Sequence, residues 1–124
     1  MLKQRGVFIL ELSDGSKVPL RFCTWTLMRF CEVNGDIDMN QMTTLIGDGG
    51  MTLKQFISLI QCAAEYTPFK EGKTPDFRPI DVSDWIDDIG GMQSPGFAAI
   101  SETIRQSFSD GDTNGQEKKR VAKV

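Results

Sequence analysis

The first part of the chain has the alternating apolar and polar pattern of a β-hairpin. Residues 7–22 read VFILELSDGSKVPLRF, two apolar stretches on either side of a turn sequence. A two-residue loop would put Leu12 opposite Lys17 and mix apolar with charged residues on one face. We therefore predict a three-residue loop, residues 14–16, which produces one wholly apolar face. That face consists of Phe8, Leu10, Leu12, Val18, Leu20 and Phe22.

Apolar residues then recur at intervals of three and four, which predicts about five short amphipathic helices. Thr52 and Gln55 form a capping box at the start of the third helix, and Ser94-Pro95 opens the fifth. Two capping residues remain open for each of the others. They are Thr24 or Thr26 for the first helix, Asp36 or Asp38 for the second, and Asp81 or Ser83 for the fourth.

The apolar stripes of these helices predict which residues are buried. They are Met39, Met42 and Ile46 on the second helix, Leu53, Phe56, Ile57, Ile60, Ala63 and Ala64 on the third, Val82, Trp85, Ile86 and Ile89 on the fourth, and Phe97, Ile100, Ile104 and Phe108 on the fifth. Residues 67–80, rich in proline, are predicted to be a long connection. The fold class is thus α+β, mainly α, with one domain at residues 1–108 and a disordered polar tail at residues 109–124.

Charge and composition exclude several classes of function. The net charge of -3 gives no basic face for nucleic acid, and no apolar stretch approaches the roughly 20 residues that span a bilayer. No signal peptide is apparent, so we expect a cytoplasmic protein. Histidine is absent, which removes the usual catalytic dyads and zinc ligands. The three cysteines have no paired spacing and are expected to be buried thiols. We predict a protein that is not an enzyme and carries no cofactor.

Two acidic clusters invite a metal-site interpretation. Asp84, Asp87 and Asp88 lie opposite an apolar stripe, so we interpret them as a solvated helix face. Asp110, Asp112 and Asn114 match the first half of a calcium loop, but the position of the bidentate glutamate is Val121. A small calcium-binding protein therefore remains only as a third hypothesis.

Large apolar residues near the ends of elements or in loops indicate a surface for a protein partner. The candidate partner-binding residues are Val7, Ile9, Trp25, Phe69, Phe77 and Met92.

The order of motifs resembles one family, the tail assembly chaperones of long-tailed bacteriophages. The resemblance covers roughly residues 7–108. It rests on DGSKVPLRF leading into TLMRFCEVNG, then MTLKQFISLIQCAAEY, IDVSDWIDDIGG and the closing helix FAAISETIRQSF.

This resemblance implies a small, mainly helical protein that acts in the cytoplasm of the infected bacterium and is absent from the mature virion. Its expected partner is the tape measure protein, a long helical chain kept soluble while tail tube subunits polymerise around it. Many copies along one client would gain from multivalency, and a homo-oligomer remains open. The alternative is a structural tail-completion or head-tail joining subunit.

The family often makes a longer form by programmed ribosomal frameshifting. Residues 117–119, Glu-Lys-Lys, are a sequence that an A-rich slippery stretch could encode, which is a conjecture about the gene. The resemblance then implies that the tail links to a second module that recruits the tail tube protein.

Overall fold

The computed structural model of the chain describes residues 6–47 and 51–108. Within these ranges a two-stranded antiparallel sheet precedes five α-helices, which confirms the predicted α+β, mainly α, fold class. The predicted disordered tail and the half calcium loop lie outside the described residues. The elements in chain order are β1 (Val7–Glu11), β2 (Lys17–Arg21), α1 (Thr24–Val33), α2 (Met39–Gly47), α3 (Leu53–Lys70), α4 (Pro79–Asp88) and α5 (Pro95–Phe108).

The hairpin has the predicted faces but a different register. Leu10 pairs with Val18, so the loop is residues 13–15 and the predicted loop at residues 14–16 is wrong by one position. Moving the loop by one residue shifts every pair by two, which leaves the same side chains on the inner face. The exposed residues of β1 are, as expected for its outer face, Val7, Ile9 and Glu11.

Local chemistry explains this register. Gly15 has a φ of +91°, the left-handed conformation that completes a three-residue hairpin loop. The Leu12 N–H donates to the carbonyl oxygen of Ser16 at 2.9 Å and so closes the loop. The Asp14 carboxylate accepts hydrogen bonds from both the N–H and the hydroxyl of Ser16, at 2.8 and 2.6 Å.

Three helix starts follow the sequence signals. Thr52 and Gln55 form the predicted capping box, with hydrogen bonds of 2.9 and 3.1 Å. Of the two candidates for α2, Asp38 is the cap, because its carboxylate accepts the Gln41 N–H at 2.8 Å. The Ser94 hydroxyl likewise accepts the N–H of the residue three positions later, at 3.1 Å.

The predicted caps of α1 are wrong. Cys23 precedes the helix and no side chain caps it. The hydroxyl of Thr26 instead donates to the carbonyl of Arg21 at 2.5 Å, so it joins the helix to the end of β2.

The fourth helix also begins earlier than predicted. Pro79 is its first residue and Arg78 precedes it, so neither Asp81 nor Ser83 is the cap. Asp81 is the third residue of the helix, and its carboxylate accepts the Arg78 N–H at 2.8 Å. An acidic side chain is favourable there because the start of a helix carries partial positive charge.

The third helix is longer than its pattern suggested, with 18 residues that include Pro68. The predicted connection at residues 67–80 is reduced to residues 71–78, and Phe69 lies on the helix. A proline in the last turn removes one backbone hydrogen bond. In this last turn the Phe69 ring contacts Trp25, with 5.4 Å between the ring centroids.

The core surrounds α3, which packs against β2, α1 and α4. Met39 and Leu53 were predicted to be buried but are 73% and 50% exposed, so these two predictions are wrong. Each is the first residue of its helix, one turn outside the packed region. The largest fully buried apolar side chains of the described residues are Leu20, Phe30, Leu59, Ile60, Val82 and Ile100.

A polar contact fastens the hairpin loop to the end of α4. The carboxylate of Asp88 accepts the Ser13 N–H at 2.7 Å and the Ser13 hydroxyl at 2.6 Å. Asp88 is exposed, as predicted for the acidic face with Asp84 and Asp87, but it also has this structural contact.

Candidate partner-binding groove

Helices α1 and α3 lie side by side in antiparallel directions. Each turn of α1 meets a successively earlier turn of α3, which defines a seam along both helices. The contacting pairs, from one end of the seam to the other, are Trp25 with Phe69, Arg29 with Glu65, and Asn34 with Ser58.

A groove of about 670 Å³ lies over this seam. Its floor is the surface of α3, including Ile57 and Cys62, and its walls are α1 on one side and Pro79 at the start of α4 on the other. The volume falls within the roughly 300–1,000 Å³ that encloses ligand-sized groups. The groove therefore accommodates several side chains of a partner.

Apolar side chains give the groove its character. Val33 and Leu53 line it while each keeps half of its surface exposed. Ile57 follows Leu53 by four residues, so the two form a row along α3. Ile80, next to the wall residue Pro79, is also exposed. Exposed apolar side chains gathered at one concave surface are typical of a protein-binding site.

An ion pair between a buried carboxylate and a partly exposed arginine lies inside the groove. Glu65 is 6% exposed, and its carboxylate is 3.4 Å from Arg29 Nε and 3.3 Å from Gln61 Nε2. Gln61 also donates to the carbonyl of Phe77 at 3.1 Å, which ties α3 to the segment before α4. Charge and hydrogen bonds thus compensate the burial of this carboxylate.

Lys54 lies at the opposite end of the groove, at the start of α3. Within the described ranges no carboxylate lies within 4.0 Å of its amino group. The first turn of α3 has no acidic residue to balance the positive end of the helix. Lys54 and the positive end of α3 thus place positive charge at this end of the groove.

The cysteines have the properties of packed thiols. All three are free; Cys62 is buried, whereas Cys23 and Cys31 are half-buried, so the predicted burial is complete only for Cys62. Burial, and then the charge of Glu65, raise the pKa of Cys62 to about 12. Burial and then Asp38 also raise the pKa of Cys31. Both thiols are therefore protonated at neutral pH and poor nucleophiles.

The six candidate partner-binding residues do not form one surface. Val7 and Ile9 are exposed on the hairpin, Met92 is exposed between α4 and α5, and Phe77 packs against Trp85 with 5.2 Å between ring centroids. Two others do meet: Trp25 contacts both Phe69 and Tyr66, and the Arg21 guanidinium lies 5.4 Å from the Tyr66 ring centroid.

This aromatic cluster adjoins the groove. Trp25 precedes Arg29 by one turn of α1, and Phe69 follows Glu65 by one turn of α3. Two of the six predicted residues therefore continue the same seam, while the other four lie elsewhere.

Sequence reasoning did not identify Val33, Leu53 or Lys54 as site residues. Leu53 and Ile57 belong to the same apolar stripe as the buried residues of α3, and periodicity alone does not tell which part of a stripe is covered. The lysine two positions after the Thr52 cap was the one available signal, since a cation is unfavourable at that helix end.

Comparison of the chain with protein-family models, with curated proteins and with solved structures finds no match. Among residues 6–47 and 51–108, no helix is long and apolar enough to span a membrane. The same residues contain no group of three or more acidic or cysteine side chains placed to hold a metal ion.

Proposed function

We propose that this protein is a tail assembly chaperone of a long-tailed bacteriophage and that its client is the tape measure protein. It binds apolar helical segments of the client in the cytoplasm of the infected bacterium and leaves before the virion is complete. It acts by binding, without catalysis or a cofactor.

The observation that carries the proposal is the groove between α1, α3 and α4, with Val33 and Leu53 half exposed in it. A long helical client with uncovered apolar stripes aggregates, and a small protein that covers those stripes keeps it soluble. The groove is open, concave and mainly apolar, which suits this task.

The chemistry of the groove favours binding over catalysis. Its carboxylate, Glu65, is occupied by Arg29 and Gln61, and its thiol, Cys62, is held protonated by burial. The chain contains no histidine to activate a hydroxyl or thiol. The mainly helical fold is also of the class that the sequence resemblance implies.

Co-expression with the tape measure protein of the same genome tests the proposal. We expect the soluble fraction of the client to rise with the amount of this chain, and the two to co-purify. An unrelated small helical protein of similar net charge, expressed to the same level, is the control. Client solubility that stays unchanged at every ratio would contradict the proposal.

Mass spectrometry of purified virions separates the chaperone from a structural tail-completion or head-tail joining subunit. A chaperone is present in lysates of infected cells and absent from the particles, whereas a structural subunit stays in them. The lysates should also contain a longer product that begins with this chain and co-purifies with the tail tube protein. Detection of this chain in virions at stoichiometric amounts would favour the structural subunit.

A further inference from the structure

The exposed surface of α3 between α1 and α4 has room for one further helix to pack against it. Helix α3 has 18 residues and is therefore about 27 Å long. Neighbouring helices pack at axial distances of about 8–10 Å, with the side chains of one in the grooves of the other. A partner helix laid over α3 would thus contact α1 on one side and the start of α4 on the other.

The apolar residues of the groove are spaced for such a partner. Leu53 and Ile57 form one row on α3, and Val33 faces them from α1. A helix that binds in a groove uses apolar anchors at positions i, i+3 or i+4, and i+7. These three side chains provide contacts for that pattern.

The two ends of the groove differ in charge. At one end Glu65 and Arg29 neutralise each other. At the other end Lys54 has no carboxylate partner among the described residues, and the positive end of α3 adds to its charge. An acidic side chain on the partner helix is therefore favoured at the Lys54 end and a basic one is disfavoured.

The same charge argument gives no preference for the tail of this chain as the occupant. The tail of this chain, residues 109–124, has four basic and three acidic side chains, so it lacks the acidic excess that Lys54 favours.

We propose that the groove binds one amphipathic client helix whose apolar stripe packs on Val33, Leu53 and Ile57 and whose flanking acidic residue meets Lys54. This inference rests on the proposed chaperone function, and it adds the site on this chain and the acidic character of the client segment. The client segments that this chain covers are thus apolar helices with an acidic flank.

Two synthetic peptides test the site directly. Both have about 18 residues, the length of α3, and the same leucine stripe, but one has glutamates and the other lysines beside it. Fluorescence anisotropy of labelled peptides measures binding to the full chain. We expect the acidic peptide to bind more tightly, with a preference that weakens as salt is added.

Substitutions in the groove localise the binding. Val33→Asp and Leu53→Asp should each weaken binding of the acidic peptide by about tenfold or more, because they place a charge against the leucine stripe. Met39→Asp is the matched control, since Met39 is exposed on α2 and should leave affinity unchanged. Circular dichroism verifies that each variant is folded. Equal losses in all three variants would overturn the proposal.

Reversal of one charge tests the acidic contact. Lys54→Glu should weaken binding of the acidic peptide by about fivefold and strengthen binding of the basic peptide. Lys54→Arg should preserve the preference for the acidic peptide. A preference that Lys54→Glu leaves unchanged would overturn the proposed contact.

Other occupants give different results. If removal of residues 109–124 tightens peptide binding by about tenfold or more, the tail occupies the groove. If Val33→Asp abolishes a dimer seen by analytical ultracentrifugation, a second copy occupies it. Either outcome would overturn the assignment to a client helix.

The groove and the chaperone function can fail independently. If the unaltered chain solubilises the tape measure protein and Leu53→Asp does so equally well, the groove assignment is wrong and the function stands. If the peptides bind as predicted but the tape measure protein stays insoluble, the groove stands and the proposed function is wrong.

Discussion

The two faces of α3 carry similar apolar residues but have different surroundings. On the closed face Leu59, Ile60 and Ala63 are almost completely buried beneath the hairpin and the neighbouring helices. On the open face Leu53 keeps half of its surface exposed, and Ile57 lies on the floor of the groove. The comparison teaches that apolar character alone does not make a core residue, because a second element must also cover it.

The closed and open faces should differ most in their response to loss of a leucine side chain. Leu59→Ala should lower the free energy of unfolding by about 2–5 kcal/mol, because it leaves a cavity in the core. Leu53→Ala, the matched change on the open face, should alter it by within about 0.5 kcal/mol. Urea denaturation measures both, and similar losses would contradict the distinction between the faces.

The hairpin that covers the closed face depends on a close backbone approach at its start. Gly6 has a φ of +74°, and a Cβ there would collide with the carbonyl oxygen of Phe22. Gly6→Ala should therefore destabilise the protein by the left-handed penalty of about 1–2 kcal/mol plus a further 1 kcal/mol or more from the collision.

The control for this change is Gly15→Ala. Gly15 has a φ of +91°, but the space around it is open. Gly15→Ala should therefore destabilise the protein by the left-handed penalty alone, about 1–2 kcal/mol. Thermal unfolding compares the two variants, and equal midpoints would show that the approach of Gly6 to Phe22 is unimportant.

The two hydrogen bonds between Ser13 and Asp88 should make a smaller contribution to the free energy of unfolding. Asp88→Ala removes both bonds and should destabilise the protein by about 1 kcal/mol, with faster hydrogen exchange in the hairpin loop. Asp87→Ala on the same helix removes an exposed carboxylate and should change stability by within about 0.5 kcal/mol. If the two variants are equally stable, the hairpin is not fastened by this contact.

Cys62, below the open face, should make the free energy of unfolding depend on pH only in the alkaline range. Its pKa rises from 9.0 to about 12 on folding, because burial disfavours the thiolate. The neutral thiol thus stabilises the folded state below pH 9, and this contribution is lost as the pH rises from about 9 to about 12. Stability measured across this range should fall less steeply for Cys62→Ala, and parallel curves would contradict the assignment.

Native alkylation gives an independent measure of the same property. Iodoacetamide at pH 8 should leave Cys62 unmodified in the folded protein and modify it after unfolding, because the reactive form is the thiolate. Rapid modification in the folded state would mean that the open face gives solvent access to this thiol.

Much of the fold was predictable because it depends on local signals. The capping box at Thr52, the helix start at Ser94 and Pro95, and the stripe around Val82 are all short-range features, and the structure contains them. One of the errors arose where a distant segment of the chain is involved. Phe69 remains helical beyond its proline and contacts Trp25, 44 positions earlier in the chain.

Only part of the candidate site was predictable. Trp25 and Phe69 were selected as large apolar residues near the ends of elements, and they do continue the α1–α3 seam. The groove itself was not predictable, because it exists where α4 leaves one part of α3 uncovered. The sequence shows the apolar stripe that contains Leu53. How much of this stripe is buried by other elements depends on the packing of three helices.

The sequence by itself determined the hairpin, the five helices, the inner face of the sheet and the absence of imidazole chemistry. These follow from alternation, helical periodicity, turn residues and composition, all of which act over a few positions. Only the tertiary structure decided that Asp88 holds the hairpin loop, that Glu65 meets Arg29 inside a groove, and that Leu53 faces outward. Each depends on segments far apart in the chain, whose approach is set by the packing of the whole core.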